Sequence, residues 1–450
     1  MLSKTSPKSF YSTLFMRGTD TQLLSLAAQR RFLSFVESDP MSSSFLIYNS
    51  SYTTRKIQNW KRTLPWIKPY YAIKSNPIMP LIQDVARCNL GFDCASKGEI
   101  QKALNLGIFP NNIVYSNSIK EEKDLKFAMK NEVLLTTADT LEELVKIQKM
   151  QESLKVDMKI LWRISIKEEE SEKLSTVFSN KFGDDIKNLS EIKQKFQQIK
   201  NMGITLHGIH FHCGSGQHGS ASFKKAVDMA RACITVGRQY GHKMEILDLG
   251  GGFPAGELDE RTISALQVTH KDPLGYQVIA EPGRHFSSNS CYLATRILGK
   301  RIKSNKMCYH VNDGVYHSFN CVLMDGVSFE NQNDQFYQKW NSEKEAQFGA
   351  GNGKMQGAFG SLFGMTCDGW DIICKNLQLP EMEVGDWIVV GGMGSYTYGP
   401  KSAFNGMQAL KKIVAWKGEI EEMQEDKSRE SLKEIGVVGG QKYSLNDKFS

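Results

Sequence analysis

Residues 69–77 introduce the pattern on which the rest of the chain is built, and they read Pro69-Tyr70-Tyr71-Ala72-Ile73-Lys74-Ser75-Asn76-Pro77. The aromatic and apolar run predicts a buried strand, which Ser75-Asn76-Pro77 ends before a helical pattern begins at Ile78. Lys74 is therefore expected at the carboxyl end of a core strand. Most lysines at strand ends are ordinary surface residues, but one partly withdrawn from water has a depressed pKa and can form a Schiff base.

The composition is that of a globular protein with two domains. The chain has 450 residues, of which 40% are hydrophobic and 23% charged, and it has no apolar run near the roughly 18 residues that span a bilayer. The net charge of +7 is modest and spread along the chain, so it does not indicate a nucleic-acid partner. Nine cysteines without a CxxC pair predict free thiols in a reducing compartment, which we take to be the cytoplasm.

Short apolar runs alternate with helical patterns from residue 69 onward. Eight strands alternating with helices predict a (β/α)8 barrel. The predicted strands are Tyr70–Ile73, Leu90–Phe92, Ile113–Tyr115, Val133–Thr136, Lys159–Ile164, Leu206–His212, Glu245–Leu249 and Gln277–Ala280.

The other regions have different compositions. Residues 1–40 read as a partly disordered leader, basic and acid-free up to Thr19, a composition shared by mitochondrial presequences. We assign 41–285 to the barrel and 286–416 to a mostly β domain with an N-terminal strand contribution. A Gly-rich segment, 329–363, reads as a mobile insertion, and 417–450 as a polar tail.

Polar residues and glycines follow several of the predicted barrel strands. Such positions form the active face of a barrel, and chance is unlikely to supply six of them. They are Lys74, Asp93, Arg163, His212, Gly250–Gly252 and Glu281.

Three of these positions lie in distinctive short motifs. His210 and His212 share one face of a regular strand, but no neighbouring carboxylate or CxxC completes a ligand set, so no metal is predicted. The glycines of Asp248-Leu249-Gly250-Gly251-Gly252 allow backbone N–H groups to approach phosphate, although a triple glycine is more often a flexible loop. Glu281-Pro282-Gly283-Arg284 follows the last barrel strand.

Tyr71-Ala72-Ile73-Lys74-Ser75-Asn76 closely resembles the segment that carries the cofactor lysine in eukaryotic ornithine decarboxylases, a family of fold type III pyridoxal phosphate enzymes. The resemblance runs from about Phe45 to Gln408. It implies a barrel plus a β domain, an obligate homodimer with shared active sites, and pyridoxal 5'-phosphate as cofactor. Further motifs match in order, at His212–Gly216, Asn312–Asn320, Gly364–Gly369 and Gly392–Thr397.

The same match implies roles for individual cofactor-site residues. Lys74 would hold the cofactor, His212 would stack on its ring, and Glu281 would pair with its ring nitrogen. Phosphate contacts are implied for Ser215, Arg284, Tyr396 and the glycine turn Gly250, Gly251 and Gly252. Asp93, Glu99, Arg163 and Lys181 carry over as cofactor-pocket or dimer-interface residues, although Glu99 could equally be only the capping partner of Ser96.

The implied substrate contacts come from the β domain. Asp325 and Asp368 would bind the distal ammonium of L-ornithine, Cys367 would govern proton return to the α-carbon, and Tyr316 belongs to the specificity turn. A lone cysteine is otherwise usually a buried small hydrophobe.

Departures from the family pattern leave alternatives open. His317 replaces a glycine, Met365 replaces a proline, Gly391-Gly392 replaces a polar or acidic pair, and the turn after Asp325 reads Gly-Val-Ser. These changes keep open a decarboxylase of lysine or arginine. They also keep open a catalytically inactive binding protein like the antizyme inhibitors, and an antizyme-type regulator remains a possible partner. A meso-diaminopimelate decarboxylase is less favoured, because Asp-Gly rather than Glu-Ser follows Cys367.

Overall fold

The structure is a computed structural model. It describes residues 11–15, 32, 35–36, 38–39, 42–166, 179–186, 188–215, 220–328, 338–340, 358–379, 381–407 and 412–416. The chain divides into two compact units, one formed by Thr54–Phe286 and the other by Met1–Thr53 together with Ser287–Ser450. The tail 417–450, most of the leader and most of the Gly-rich segment lie outside the described residues.

The first unit is a closed barrel of eight parallel strands. Each strand pairs with its neighbour along the chain, and the last strand pairs with the first. All eight predicted strands are present, with ends shifted by a few residues. They are Ile67–Ala72, Gly91–Cys94, Ile113–Tyr115, Leu135–Ala138, Lys159–Arg163, Gly208–His210, Ile246–Asp248 and Gln277–Ala280.

Helices follow the barrel strands as the apolar periodicity predicts. Ser96 and Thr140 begin two of them by accepting the backbone N–H of the residue three positions on, Glu99 and Glu143, as capping boxes require. Among the described residues, helix Ser50–Thr63 precedes the first barrel strand. The helices of more than four residues that come after it are Met79–Arg87, Lys97–Asn105, Glu122–Lys130, Leu141–Leu154, Leu189–Asn201, Ala221–Gln239 and Glu260–Gln267.

One apolar cluster joins the barrel strands to each other. Its members are buried and come from five strands: Tyr70, Val114, Leu161, Ile246 and Ile279. Gly91 makes room for this cluster, since a Cβ there would lie 2.2 Å from the Tyr70 ring. The strand ends are thereby held in fixed register around the barrel.

The second unit is a mixed sheet. Nine of its strands form one sheet within the described residues. They are Tyr11–Phe15, Phe45–Asn49, Cys291–Lys303, Lys306–Val311, Gln338–Trp340, Ala358–Phe363, Ile372–Leu379, Trp387–Gly391 and Lys412–Trp416. Its core includes a ring cluster in which Phe45 packs on Phe32 and Trp387 at centroid distances of 5.7 and 5.4 Å.

Three sequence predictions need correction here. Tyr11–Phe15, assigned to the leader, is a strand that pairs in parallel with Trp387–Gly391. Residues 41–53 belong to the sheet unit rather than to the barrel, because Phe45–Asn49 pairs with Cys291–Ala294. The Gly-rich insertion ends before Phe363, because Ala358–Phe363 pairs with two strands of the sheet.

Candidate active site

Lys74 and Asp93 form an ion pair at the carboxyl ends of the first two barrel strands. Lys74 lies in a 3-10 turn, Ile73–Ser75, whose flanking residues are buried, and its Nζ lies 2.6 Å from Oδ2 of Asp93. The Lys74 side chain is 38% exposed while that of Asp93 is fully buried. Burial, followed by the charge of Glu281, raises the pKa of Asp93 to about 8 despite the opposing charge of Lys74. The lysine amine is thus oriented by a carboxyl group but remains accessible.

Glu281 lies after the last barrel strand in a group of three buried titratable side chains. Its Oε2 is 3.3 Å from Nε2 of His210, and the side chains of Glu281, His210 and Asp248 place one polar atom each within 4.8 Å of one another. Burial opposes ionisation of Glu281, but the contact with His210 and the charge of Lys74 outweigh it and hold the pKa below its usual range. Burial and the charge of Glu281 instead raise the pKa of Asp248. Glu281 is therefore the member of the group that keeps a negative charge.

His212 faces the glycine turn after the seventh barrel strand. A Cβ at Gly251 would lie 2.6 Å from Nε2 of His212, so only glycine permits this approach. Gly250 and Gly252 have φ values of 58° and 108°, in the left-handed region that favours glycine. Nδ1 of His212 accepts the N–H of Gly214 at 3.1 Å, and burial lowers the pKa of His212, so that its ring is neutral.

Of the two arginines predicted for the site, Arg163 ends the fifth barrel strand and Arg284 begins a short helix, Arg284–Ser287, after the eighth. Arg284 donates to Oγ of Ser215 at 3.0 Å, which brings together two residues predicted to bind phosphate. The buried Arg163 packs its guanidinium over the ring of Phe182 at 4.7 Å. Nζ of Lys181 lies 5.0 Å from the same ring.

Glu99 takes part in capping the N-terminus of helix Lys97–Asn105. Its backbone N–H donates to Oγ of Ser96 at 3.4 Å, and its Oε2 accepts the N–H of Ala95 at 2.7 Å. Its observed contacts are those of the capping alternative that the sequence left open.

A second group of candidate residues lies in the sheet unit. The hydroxyl of Tyr316 donates to the carboxylate of Asp368, and the Tyr316 ring stacks on Phe404 at 4.4 Å. Cys367 is exposed and donates its backbone N–H to Oδ1 of Asn405 at 3.0 Å.

The loop that carries Cys367 is held by a residue that sequence reasoning missed. The buried Asp371 accepts hydrogen bonds from the backbone N–H groups of Val315 and Thr366, at 2.8 and 3.0 Å. A Cβ at Gly364 would lie 2.1 Å from the Asp371 carboxylate. Asp371 therefore fixes this loop against the turn that carries Tyr316.

Asp325 and Tyr396 are the other candidate residues of the sheet unit. Asp325 is buried at the end of a short helix, Cys321–Met324, and Tyr396 adopts a left-handed φ of 54°.

Asp371 and Asn405 belong to no sequence motif that could have identified them. His210 and Asp248 do lie in sequence motifs described above, although neither was predicted as a site residue. The pattern that pointed to His210 was its position on the same strand face as His212.

The family described as "Pyridoxal-dependent decarboxylase, pyridoxal binding domain" matches residues 51–288, more than half of the chain. This chain belongs to that family. Its barrel unit, Thr54–Phe286, therefore corresponds to the pyridoxal-binding domain of this family.

Relatives and solved structures agree with this membership. Ornithine decarboxylase of Rattus norvegicus is 33% identical over 395 residues, covering 83% of this chain and 80% of the relative. Antizyme inhibitor 2 of Xenopus laevis is 31% identical, covering 81% and 79%. The crystal structure of Paramecium bursaria Chlorella virus arginine decarboxylase has a TM-score of 0.74 at 27% identity, covering 86% of this chain and 99% of that one.

The residues at the barrel mouth fit the cofactor of this decarboxylase family. Oε1 of Glu281 is buried and has no hydrogen-bond partner among the described residues, so it can accept a ring N–H. The glycine turn leaves an opening beside His212 that any side chain at position 251 would fill. The donor set thus matches an aromatic ring with a protonated nitrogen and an attached phosphate.

Other sequence expectations concern the cysteines and membranes. All nine cysteines are free thiols, as their scattered spacing predicted. In the described part of the chain, no helix has the length and apolar character needed to cross a membrane.

Proposed function

We propose that this protein decarboxylates L-ornithine to putrescine with pyridoxal 5'-phosphate. The observation that supports the chemistry most directly is the ion pair of Lys74 and Asp93 beside a Glu281 that retains its charge. The choice of ornithine is supported by the retained Cys367-Asp368-Gly369 segment and by ornithine decarboxylases among the relatives.

The barrel residues would bind and orient the cofactor. Lys74 would hold it covalently through Nζ, and Asp93 would orient the lysine amine. His212, held neutral by burial, would cover one face of the ring. Glu281 would hold a proton on the ring nitrogen. When bound, pyridoxal phosphate supplies the electron sink that receives the electron pair left by departing CO2.

The phosphate would be held by neutral and cationic donors together. Backbone N–H groups of Gly250, Gly251 and Gly252 can approach an anion closely because no Cβ intervenes. Ser215 and Arg284, already joined by a hydrogen bond, would contribute a hydroxyl and a guanidinium, and Tyr396 a further hydroxyl. Arg163 would line the same pocket.

The sheet unit would supply the substrate contacts and the returning proton. Asp368 and Asp325 would bind the distal ammonium, which the chain's net charge of +7 does not attract by itself. Tyr316 would hold Asp368 in place through its hydroxyl. Cys367 would deliver a proton to the α-carbon after CO2 loss. We propose that these residues serve a neighbouring subunit in a homodimer.

Two alternatives have specific support. His317, buried with Nε2 at 3.1 Å from the carbonyl oxygen of Met407, and the turn after Asp325 can alter the substrate pocket. If the pocket is altered in this way, lysine or arginine would be the substrate, and an arginine decarboxylase is among the similar structures.

An inactive binding protein is supported by the Antizyme inhibitor 2 relative, but retention of Lys74, Glu281 and Cys367 favours catalysis. Control by an antizyme-type regulator and a cytoplasmic location stay predictions.

The test is release of CO2 by the purified, cofactor-loaded protein from ornithine, lysine, arginine and meso-diaminopimelate offered separately. Lys74→Ala serves as the inactive control. Preference for ornithine with formation of putrescine supports the proposal. Preference for another amino acid retains the chemistry and refutes the proposed specificity, whereas no turnover from a protein with bound cofactor favours the binding-protein alternative.

A further inference from the structure

His210 lies within hydrogen-bond distance of the Glu281 carboxylate. It ends the sixth barrel strand, Gly208–His210, and is fully buried. Its Nε2 lies 3.3 Å from Oε2 of Glu281, which is 71 positions away in the chain. The proposed function gives His210 no role, although it contacts the residue on which the ring nitrogen depends.

The hydrogen-bond pattern selects one protonation state of His210. Nδ1 is buried and has no partner among the described residues. A proton on Nδ1 would therefore be an unsatisfied buried donor, and such donors are costly. The neutral ring with hydrogen on Nε2 avoids that cost and donates to Glu281. Burial also lowers the pKa of His210, in agreement with a neutral ring.

Burial opposes the charge of Glu281, and the hydrogen bond from His210 is one of the contacts that offset this cost, together with the charge of Lys74 and a hydrogen bond from Ser116. Besides His210, the titratable and charged groups that act on it include the carboxyls of Asp93 and Asp248 and the cations of Lys74 and Arg163. Glu281 is buried, so its charged form is costly unless hydrogen bonds satisfy it. Its Oε2 has the histidine, and its Oε1 is left for a ligand.

We propose that His210 is a positioning residue for the cofactor: its Nε2–H holds Glu281 ionised and fixes its rotamer, so that Oε1 accepts the protonated ring nitrogen of pyridoxal phosphate. This inference rests on the role given to Glu281 in the proposed function. His210 acts only through Glu281 and does not touch the substrate.

The test compares His210→Leu with His210→Gln. Leucine removes the donor at similar volume, whereas glutamine can place an amide N–H near the position of Nε2 but cannot titrate. The matched control is His207→Gln. His207 is on the same chain segment, three positions earlier, and its Nδ1 accepts the N–H of Ile160.

The first readout is the ring-nitrogen 15N NMR signal of 15N-labelled pyridoxal phosphate bound to each variant. The second is the dissociation constant of the cofactor from each protein. For His210→Leu we expect a signal shifted toward that of an unprotonated pyridine, and a dissociation constant raised between about tenfold and a hundredfold. His210→Gln should have a 15N signal and a dissociation constant close to those of wild type, and His207→Gln should resemble wild type in both.

A Glu281→Gln variant distinguishes failure of the role proposed for Glu281 from failure of the role proposed for His210. If Glu281→Gln leaves the 15N signal unchanged, the proposed role of Glu281 is wrong. If Glu281→Gln shifts the signal but His210→Leu does not, only the role of His210 is refuted. If His210→Leu fails to fold, the His210→Gln protein decides. A 15N signal shifted toward unprotonated pyridine together with weakened cofactor binding in His210→Gln would contradict the proposal, because a retained N–H donor should preserve both.

Discussion

Asn405 holds Cys367 in place through its side chain: Oδ1 of Asn405 accepts the backbone N–H of Cys367 at 3.0 Å. Asn405 adopts a left-handed conformation with φ 58° and ψ 15°. Asparagine tolerates this region better than other side chains do, glycine excepted. The same segment touches the Tyr316 turn, because Ser402 donates its N–H to the carbonyl oxygen of Tyr316 at 2.9 Å. Residues 402–405 thus hold both Cys367, the proposed proton donor, and the turn of Tyr316, the residue proposed to position Asp368.

Asn405→Ala should lower kcat while the bound cofactor stays at the wild-type level. The lost hydrogen bond is worth about 1 kcal/mol, or about fivefold in rate if it acts on proton return. Asn405→Gly keeps the left-handed backbone but not the hydrogen bond, so a similar loss in both variants assigns the effect to the hydrogen bond. The matched control is Asn376→Ala, whose partner is Lys306. Unchanged kcat in both Asn405 variants would show that this contact is not needed.

Gly251→Ala should weaken cofactor binding because the new methyl group would lie 2.6 Å from Nε2 of His212. Overpacking of this kind costs about 1–3 kcal/mol, so we expect a dissociation constant raised roughly tenfold or more. The control is Gly98→Ala, where the nearest atom would be 3.8 Å from the added Cβ. Fluorescence titration of the apoprotein with pyridoxal phosphate measures the effect. Wild-type affinity in Gly251→Ala would contradict the placement of the cofactor ring beside His212.

Lys74→Ala should abolish the visible absorbance of the covalently attached cofactor together with CO2 release. The reason is that the Nζ atom oriented by Asp93 is the proposed attachment point. Lys68→Ala is the matched control, since Lys68 precedes it by six positions and bonds Oδ1 of Asn112. An unchanged spectrum in Lys74→Ala would refute the assignment.

Mixing two inactive proteins tests whether active sites are shared between subunits. Lys74→Ala lacks the attachment point and Cys367→Ala lacks the proposed proton donor. If each site uses Lys74 from one subunit and Cys367 from the other, equal mixing should restore roughly a quarter of wild-type activity. Cys367→Ala alone should bind cofactor but form little putrescine. Absence of recovery, with subunit exchange demonstrated by differently tagged chains, would rule out sharing.

The buried His285 should make the barrel unit sensitive to acid. Burial, reinforced by the charge of Lys56, lowers the pKa of His285 from 6.5 to about 3. The stability that comes from its neutral ring is complete above pH 6.5 and is lost as the pH falls toward 3, at up to about 1.4 kcal/mol per pH unit. Unfolding in urea at pH 7.5, 6 and 5 measures this slope.

His285→Asn supplies the comparison for that slope. Asparagine can keep the hydrogen bond to the carbonyl oxygen of Pro254, which lies 2.8 Å from Nδ1, but it does not titrate. The variant should be less stable at pH 7.5, because ring packing on Trp60 is lost. Its stability should nevertheless fall less steeply with acid. Equal slopes in the two proteins would show that His285 is not responsible.

The barrel could be predicted from the sequence because each of its strands and helices has a recognisable local pattern of apolar residues. Strand Ile67–Ala72 and the seven that follow it are short apolar runs, and the helices between them repeat their apolar residues with helical spacing. Polar residues at strand ends, such as Asp93 and Glu281, could be assigned to one face because all strands of a barrel point the same way.

The sheet unit was less predictable because its strands depend on distant partners. Tyr11–Phe15 pairs with residues 387–391, and Ala358–Phe363 ends a segment whose glycines suggested a loop. β-propensity is weak evidence without knowledge of the neighbouring strand. Asp371 and Asn405 likewise have meaning only once the loop around Cys367 is placed.

The sequence by itself determined the barrel, the position of Lys74 at a strand end and the resemblance that names the cofactor, since these depend on residue type and spacing. Only the tertiary structure decided which titratable groups meet. Lys74 and Asp93 are 19 positions apart, and His210 and Glu281 are 71 apart. Their charges are set by burial and by distances of a few ångströms, and chain folding alone establishes those distances.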